Sequence, residues 1–251
     1  MTLITSSKND LIKTLHKLNR KKNRTEQQRY LIEGVHLVRE ALDAQTPIEM
    51  ILATEDFKRV TWVPASMSIY WLKPEVAQTL SATVTTQGIF AVLPLPTEKL
   101  PQSFNGTWLL LDGVQDPGNI GTMVRTADAA GLSGVVLGEG SADLYSDKVL
   151  RAMQGSHFHI PIYQGDLNDW LTALKAAQVP IYGSELNPAA VDFHTVPAQP
   201  EFALIMGNEG NGMQIDLLAQ TEQNLYIPIQ GRAESLNVAI AAGILLFQLK
   251  N

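Results

Sequence analysis

Three blocks of this 251-residue chain gather the residues whose types and spacing could do chemistry. Residues 112–131 (DGVQDPGNIGTMVRTADAAG) carry Asn119 and Arg125, and residues 204–212 (LIMGNEGNG) carry Gly207 and Glu209. Residues 225–243 (LYIPIQGRAESLNVAIAAG) carry Ile227, Ser235, Leu236 and Asn237. The glycines Gly207, Gly210 and Gly212 permit positive φ and a close approach of backbone to a ligand. Ser235 and Asn237 sit where a helix would begin, beside amides that have no intrahelical partner. Arg125 lies in the first turns of a helix among Gly121, Thr122, Met123, Val124 and Ala127. There it either pairs with a carboxylate or turns its planar cationic fork into a pocket, where it suits a phosphate. Other chemistries find little footing. With no cysteine there is no thiolate metal site, disulfide or cysteine nucleophile. No GxSxG elbow is present. His157 and His159 alternate in GSHFHIPI as on one strand face, but no third ligand follows at zinc spacing, so they are expected to be structural or surface residues.

The elements that must position these blocks follow from apolar periodicity. Strands are expected at Thr107–Leu111, Gly134–Leu137, Ile160–Tyr163, Ile181–Ser184, Phe202–Met206 and Leu225–Ile229. Helices are expected over Ile120–Ala130, Asp147–Met153 and Leu167–Ala177, with a long last one from about Leu236. Such alternation predicts an α/β fold with a mostly parallel sheet flanked by helices. No GxGxxG follows its first strand, which argues against a dinucleotide-binding domain. Upstream, Asn9–Leu18 has apolar residues at helical spacing, Tyr30–Glu33 reads as a strand, and Gly34 leads into a helix through Leu42. Further strands at Met50–Ala53, Ile69–Leu72 and Ile89–Leu93 and a helix near Pro74–Leu80 complete a smaller α/β unit. The Pro-rich stretch before Thr107 reads as a linker. The division is therefore 1–94, a linker at 95–106, and 107–251.

Composition bounds the function classes. No run approaches the 18 apolar residues of a membrane span, and the N-terminus lacks a signal-peptide pattern, so a cytoplasmic protein is expected. Net charge is −6, which alone speaks against a nucleic-acid partner. Its distribution reverses that: residues 1–29 hold eight Lys/Arg against two acidic residues, a basic arm on an acidic body. Lys17, Arg20, Lys21, Lys22 and Arg24 are the candidate contacts to a polyanion such as RNA, the alternative being a solvated helix face.

In order and content the three blocks resemble the motifs of the SpoU branch of the SPOUT RNA methyltransferases. The first residues, with YLIEGVHLVREAL, are similar to the L30e-like substrate-binding domain often fused to such enzymes. The resemblance implies a C-terminal trefoil knot, which periodicity cannot show. It implies S-adenosyl-L-methionine as cofactor, contacted by the backbone at Gly207, Ile227 and Leu236. It implies catalytic positions at Arg125, Asn119, Glu209, Ser235 and Asn237, with Arg125 activating a ribose 2′-hydroxyl directly or through a phosphate. Ser235 is open to a second reading as the cap of the last helix. The family forms homodimers through the C-terminal domain, and no metal is implied. The substrate is structured RNA, with ribosomal RNA of the 23S type favoured over transfer RNA by the appended domain. The alternatives are a tRNA 2′-O-methyltransferase, an inactive RNA-binding module of the same fold, and methylation of a base nitrogen.

Overall fold

A computed structural model describes residues 2–55, 57, 62–97 and 99–250. By its internal contacts the chain divides into two compact units, 1–97 with 145–158, and 98–144 with 159–251.

The first unit holds β1 (Thr2–Ile4), α1 (Asp10–His16), α2 (Lys21–Gln27), β2 (Arg29–Glu33), α3 (Val35–Asp43), β3 (Met50–Thr54), β4 (Ile69–Leu72), α4 (Pro74–Leu80) and β5 (Ile89–Pro94). Its mixed sheet runs β1-β4-β3-β5-β2, parallel at β1/β4 and β3/β4 and antiparallel where β5 meets β3 and β2. Asn9 caps α1 by accepting the Leu11 N–H at 2.9 Å, which starts the helix. The periodic Ile12, Leu15 and Leu18 then meet Leu72, Val76, Leu80 and Phe90 in one core. The basic N-terminal stretch is therefore built into folded elements and is not a free arm.

The second unit holds β6 (Thr107–Leu111), α5 (Pro117–Ala129) and β7 (Gly134–Leu137). After α6 (Asp147–Met153) come β8 (Ile162–Gln164), α7 (Leu167–Ala176), β9 (Ile181–Ser184), β10 (Val191–Asp192), β11 (Phe202–Met206), α8 (Ile215–Leu218), β12 (Gln223–Tyr226) and α9 (Val238–Lys250). The sheet is wholly parallel, ordered β10-β12-β9-β11-β6-β7-β8. Its central strands read TWLLL and FALIM and are buried at every residue, as a sheet covered on both faces requires. Trp108, Leu110, Trp170, Ile181 and Ile205 form the core on one face, and α5 packs with α9 on the other.

Several boundaries differ from expectation. Residues 145–158, expected inside an unbroken C-terminal domain, belong to the first unit: α6 packs on β2, and Tyr145 lies 4.8 Å from Tyr30, ring centre to ring centre. Its Val149, Leu150 and Met153 repeat at helical spacing and bury, but periodicity does not say against which sheet. His157 and His159 do not share a strand face, because Ser156–Phe158 forms a 3-10 turn and β8 starts only at Ile162. The last strand stops at Tyr226, leaving Ile227–Ile229 beyond the ladder, and α9 starts at Val238 and not at Leu236.

Candidate active site

Ligands of open parallel sheets bind beyond the carboxyl ends of the strands, where strand order reverses. Here β11 sits between β6 and β9, and at its carboxyl end the chain turns sharply. A Cβ on Gly207 would lie 2.4 Å from the Gly212 carbonyl carbon and the Met213 nitrogen, so only glycine allows this backbone crossing. The loop is closed by reciprocal N–H···O=C bonds between Asn208 and Gly212, at 2.9 and 3.0 Å. Asn208 folds it further: its Oδ1 accepts from the N–H of Gly210 and Asn211, and its Nδ2 donates to the Gly113 carbonyl at 2.8 Å. At the end of β6 the buried carboxylate of Asp112 accepts the Gln214 N–H at 2.7 Å and its side-chain amide. The loop is thus stapled to both central strands.

Glu209 stands at the loop tip. Its carboxylate accepts the N–H of Gln115 and Asp116, at 3.2 and 3.1 Å, and the Asn119 side-chain N–H at 3.0 Å. Asp116 caps α5 by accepting the Asn119 N–H at 2.8 Å, with Pro117 in the first turn. Asn119 Oδ1 in turn accepts from Asn237 Nδ2 at 2.9 Å. Asn237 Oδ1 caps α9 by accepting the N–H of Ala239 and Ile240, at 2.9 and 3.3 Å. The polarity of this run is fixed at both ends, since a carboxylate only accepts and a helix N–H only donates, so each amide has one workable orientation. Partial burial raises the Glu209 pKa, but hydrogen bonds from Asn119 and from its own backbone, Gln115 and Asp116 outweigh it and hold the carboxyl below its ordinary range.

A cavity of about 480 Å3 opens beside this run, between the carboxyl ends of β9, β11 and β12 and the start of α9. Gly207, Ile227 and Leu236 all line it, as do Glu209, Ser235 and Asn237. Its wall mixes backbone polar groups with apolar Leu186, Met206 and Leu225. Asn237, not Ser235, caps the last helix; Ser235 is exposed on the loop at the cavity.

Arg125 stands apart. It is exposed on α5, and among the described residues its guanidinium has no ion pair or hydrogen bond. Six residues beyond Asn119 it is turned roughly 240° around the helix, at ~100° per residue, so the two do not share a face. In the first unit Lys17, Arg20, Lys21 and Lys22 are exposed on the 3-10 turn after α1 and on α2. Arg24 departs from that set: it is 3% exposed and its guanidinium donates to the Leu18 carbonyl, tying α2 to the preceding turn. The RNA contact expected of Arg24 is thus replaced by a structural one.

Sequence reasoning missed Asp112, Asn208 and Glu185. Each follows an apolar strand at its carboxyl end, a signal readable once those strands are placed in a parallel sheet. Among the described residues no group of three His, Asp or Glu side chains could hold a metal, and no helix is long and apolar enough to cross a membrane.

Two family models match the chain. The SpoU rRNA Methylase family matches residues 106–247, and the MRM3-like substrate binding domain matches residues 9–91. The chain is 45% identical over 250 residues to the 23S rRNA (guanosine(2553)-2′-O)-methyltransferase RlmP of Bacillus subtilis, covering 100% of both. An AdoMet-bound rRNA methyltransferase from Sinorhizobium meliloti superposes with a TM-score of 0.87 at 33% identity, over 99% of this chain and 97% of that one. The SpoU methyltransferase AviRb of Streptomyces viridochromogenes, in complex with AdoMet, gives 0.85 at 25% identity, over 96% and 97%.

Proposed function

This chain belongs to the SpoU rRNA Methylase family, and from that premise we propose that it transfers the methyl group of S-adenosyl-L-methionine to a ribose 2′-hydroxyl of 23S-type ribosomal RNA. The observation that carries the reading is the hydrogen-bonded run Glu209–Asn119–Asn237 beside the cavity, which joins all three sequence blocks at one point. The cavity fits the cofactor. Its volume of about 480 Å3 falls in the range of small-molecule pockets. Gly207 lets two backbone segments cross where a side chain would fill the space, and Ile227 and Leu236 add an apolar wall.

When bound, S-adenosyl-L-methionine supplies a methyl group made electrophilic by its sulfonium. The chain's own residues do the rest. Gly207, Ile227 and Leu236 hold the cofactor through backbone and apolar contacts. Glu209, kept ionised and already accepting three N–H groups, serves as an anchor that fixes the loop to the start of α5. Asn119 and Asn237 lock α5 to α9. Ser235 faces the nucleotide from the cavity loop. Arg125, whose guanidinium has no ion pair among the described residues, meets the RNA and stabilises, directly or through a neighbouring phosphate, the negative charge that develops on the 2′-oxygen as its proton passes to water.

Lys17, Arg20, Lys21 and Lys22 contact phosphates of the same RNA. The chain pairs with a second copy through α9, whose outer face leaves Ile240 54% and Phe247 45% exposed one turn either side of Ile244. The trefoil threading of α9 and a cytoplasmic site of action complete the proposal.

Methyl-labelled cofactor, the purified protein and unmodified ribosomal and transfer RNA test it, with the product digested to nucleosides. Label in a 2′-O-methyl nucleoside of 23S rRNA is expected, and guanosine 2553, the position in the name of the Bacillus subtilis relative, is the first to map. Label on a base, or on transfer RNA alone, would overturn the substrate; cofactor binding without transfer to any RNA would leave an inactive module.

A further inference from the structure

The cavity carries an uneven charge. Glu185, Glu209 and Glu234 line it, and no Lys, Arg or His does so among the described residues. Glu209 is committed to three N–H donors, and Glu234 is exposed on the loop before α9. Glu185 differs from both. It follows the last residue of β9, is half-buried, and its Oε1 accepts the Leu186 N–H at 3.0 Å. Among the described residues no cation pairs with it. Its Oε2 lies 2.8 Å from where a Cβ on Gly212 would stand, so the glycine, at φ +68°, leaves this carboxylate room against the loop. A half-buried carboxylate without a cation costs stability, and a walled cleft of one sign acts on the net charge of whatever enters.

The two molecules that must pass through this cavity, if the cofactor reading above holds, differ in charge. S-adenosyl-L-methionine has a sulfonium, an ammonium and a carboxylate, and is a net monocation. Its demethylated product has a neutral thioether and no net charge. We infer that Glu185 is a specificity-determining residue that makes the cavity favour the sulfonium cofactor over its demethylated product, so that methyl transfer itself weakens the hold on what remains. The effect acts through the field of the lining carboxylates and needs no contact with the sulfur.

Calorimetric titration of the full chain with S-adenosylmethionine and, separately, S-adenosylhomocysteine tests this. The parent is expected to bind the sulfonium form more tightly, and added salt to narrow the difference. Glu185→Gln is expected to lower affinity for S-adenosylmethionine about tenfold, the order of one partly screened charge pair. Its effect on S-adenosylhomocysteine should stay within about twofold on the same argument. Glu185→Asp, which keeps the charge, should retain the preference, and Glu234→Gln should narrow it less because that carboxylate is exposed. Equal weakening of both ligands by Glu185→Gln would assign the carboxylate to the ammonium or a ribose hydroxyl and overturn the inference, as would no change in either. A parent that binds neither ligand would overturn the cofactor reading itself.

Discussion

Asn119→Asp changes one amide nitrogen of the site to an oxygen, and its cost can be worked from the geometry. The Asn119 amide donates to Glu209 at 3.0 Å and accepts from Asn237 at 2.9 Å. In the variant the second bond survives, while at the first end two carboxylates face each other. Like charges about 4 Å apart cost ~1 kcal/mol in bulk water and ~4 kcal/mol at an effective dielectric of 20. Glu209 is exposed and position 119 half-buried, so a value near ~2 kcal/mol applies, plus ~1 kcal/mol for the lost hydrogen bond. The pair relieves itself by taking up a proton, so the folded variant binds more protons than the unfolded chain. Its stability therefore falls as pH rises through the raised pKa. The parent behaves oppositely: the depressed Glu209 pKa contributes stability that is complete above the unfolded value of about 4.3 and is lost as pH falls through the folded one. Urea unfolding of the cofactor-free protein at pH 8 and pH 5 should show a deficit of ~2–3 kcal/mol that shrinks by at least half on acidification. Asn119→Ala, which puts no charge beside Glu209, should show a deficit with little pH dependence. A deficit of equal size at both pH values for Asn119→Asp would refute the reasoning, because the two side chains would then not be in contact.

Four further outcomes are expected. Gly207→Ala sets a methyl group 2.4 Å from backbone atoms of Gly212 and Met213 that cannot yield, so calorimetry should show cofactor affinity reduced by at least about tenfold. Arg125→Ala should cut the single-turnover methylation rate by roughly 10²–10³ at unchanged cofactor affinity, with Arg125→Lys a poor rescue; a near-parental rate would remove Arg125 from the chemistry. Changing Lys17, Arg20, Lys21 and Lys22 to Gln should weaken RNA binding, measured by filter retention, by a factor that shrinks as salt rises, whereas equal affinity at low salt would exclude the patch. A fragment of residues 98–251 should aggregate on gel filtration, because it carries α6 with Val149, Leu150 and Met153 stripped of the unit they pack in; a monodisperse, folded fragment would contradict that packing.

How far the sequence reached differs from element to element. TWLLL and FALIM read as strands by their apolar runs, and the alternation of strand and helix patterns placed them in a parallel sheet, where both are buried at every residue. The lysines at 17, 21 and 22 read as exposed, and are, since a side chain ending in an ammonium group rarely leaves water. Arg24 defeated the same logic. Its helix turns it inward, where the Leu18 carbonyl takes its guanidinium, and that partner belongs to a different turn of chain. Ser235 and Asn237 were equally good caps by residue type; the choice of Asn237 depends on where α9 begins.

By itself the sequence determined the parts: which runs bury, which three blocks bear polar groups, and through them the kind of chemistry. Only the tertiary structure decided the assembly. It joined Glu209, Asn119 and Asn237 into one oriented run, left Arg125 outside it, gave residues 145–158 to the N-terminal unit, and set Glu185 on the cavity wall with no cation beside it among the described residues. The physical reason is range. Propensity, capping and periodicity act within about four residues along the chain. The bonds Asn119 makes to Glu209 and Asn237 span 90 and 118 residues, and exist only once a parallel sheet has brought its strand ends to one edge.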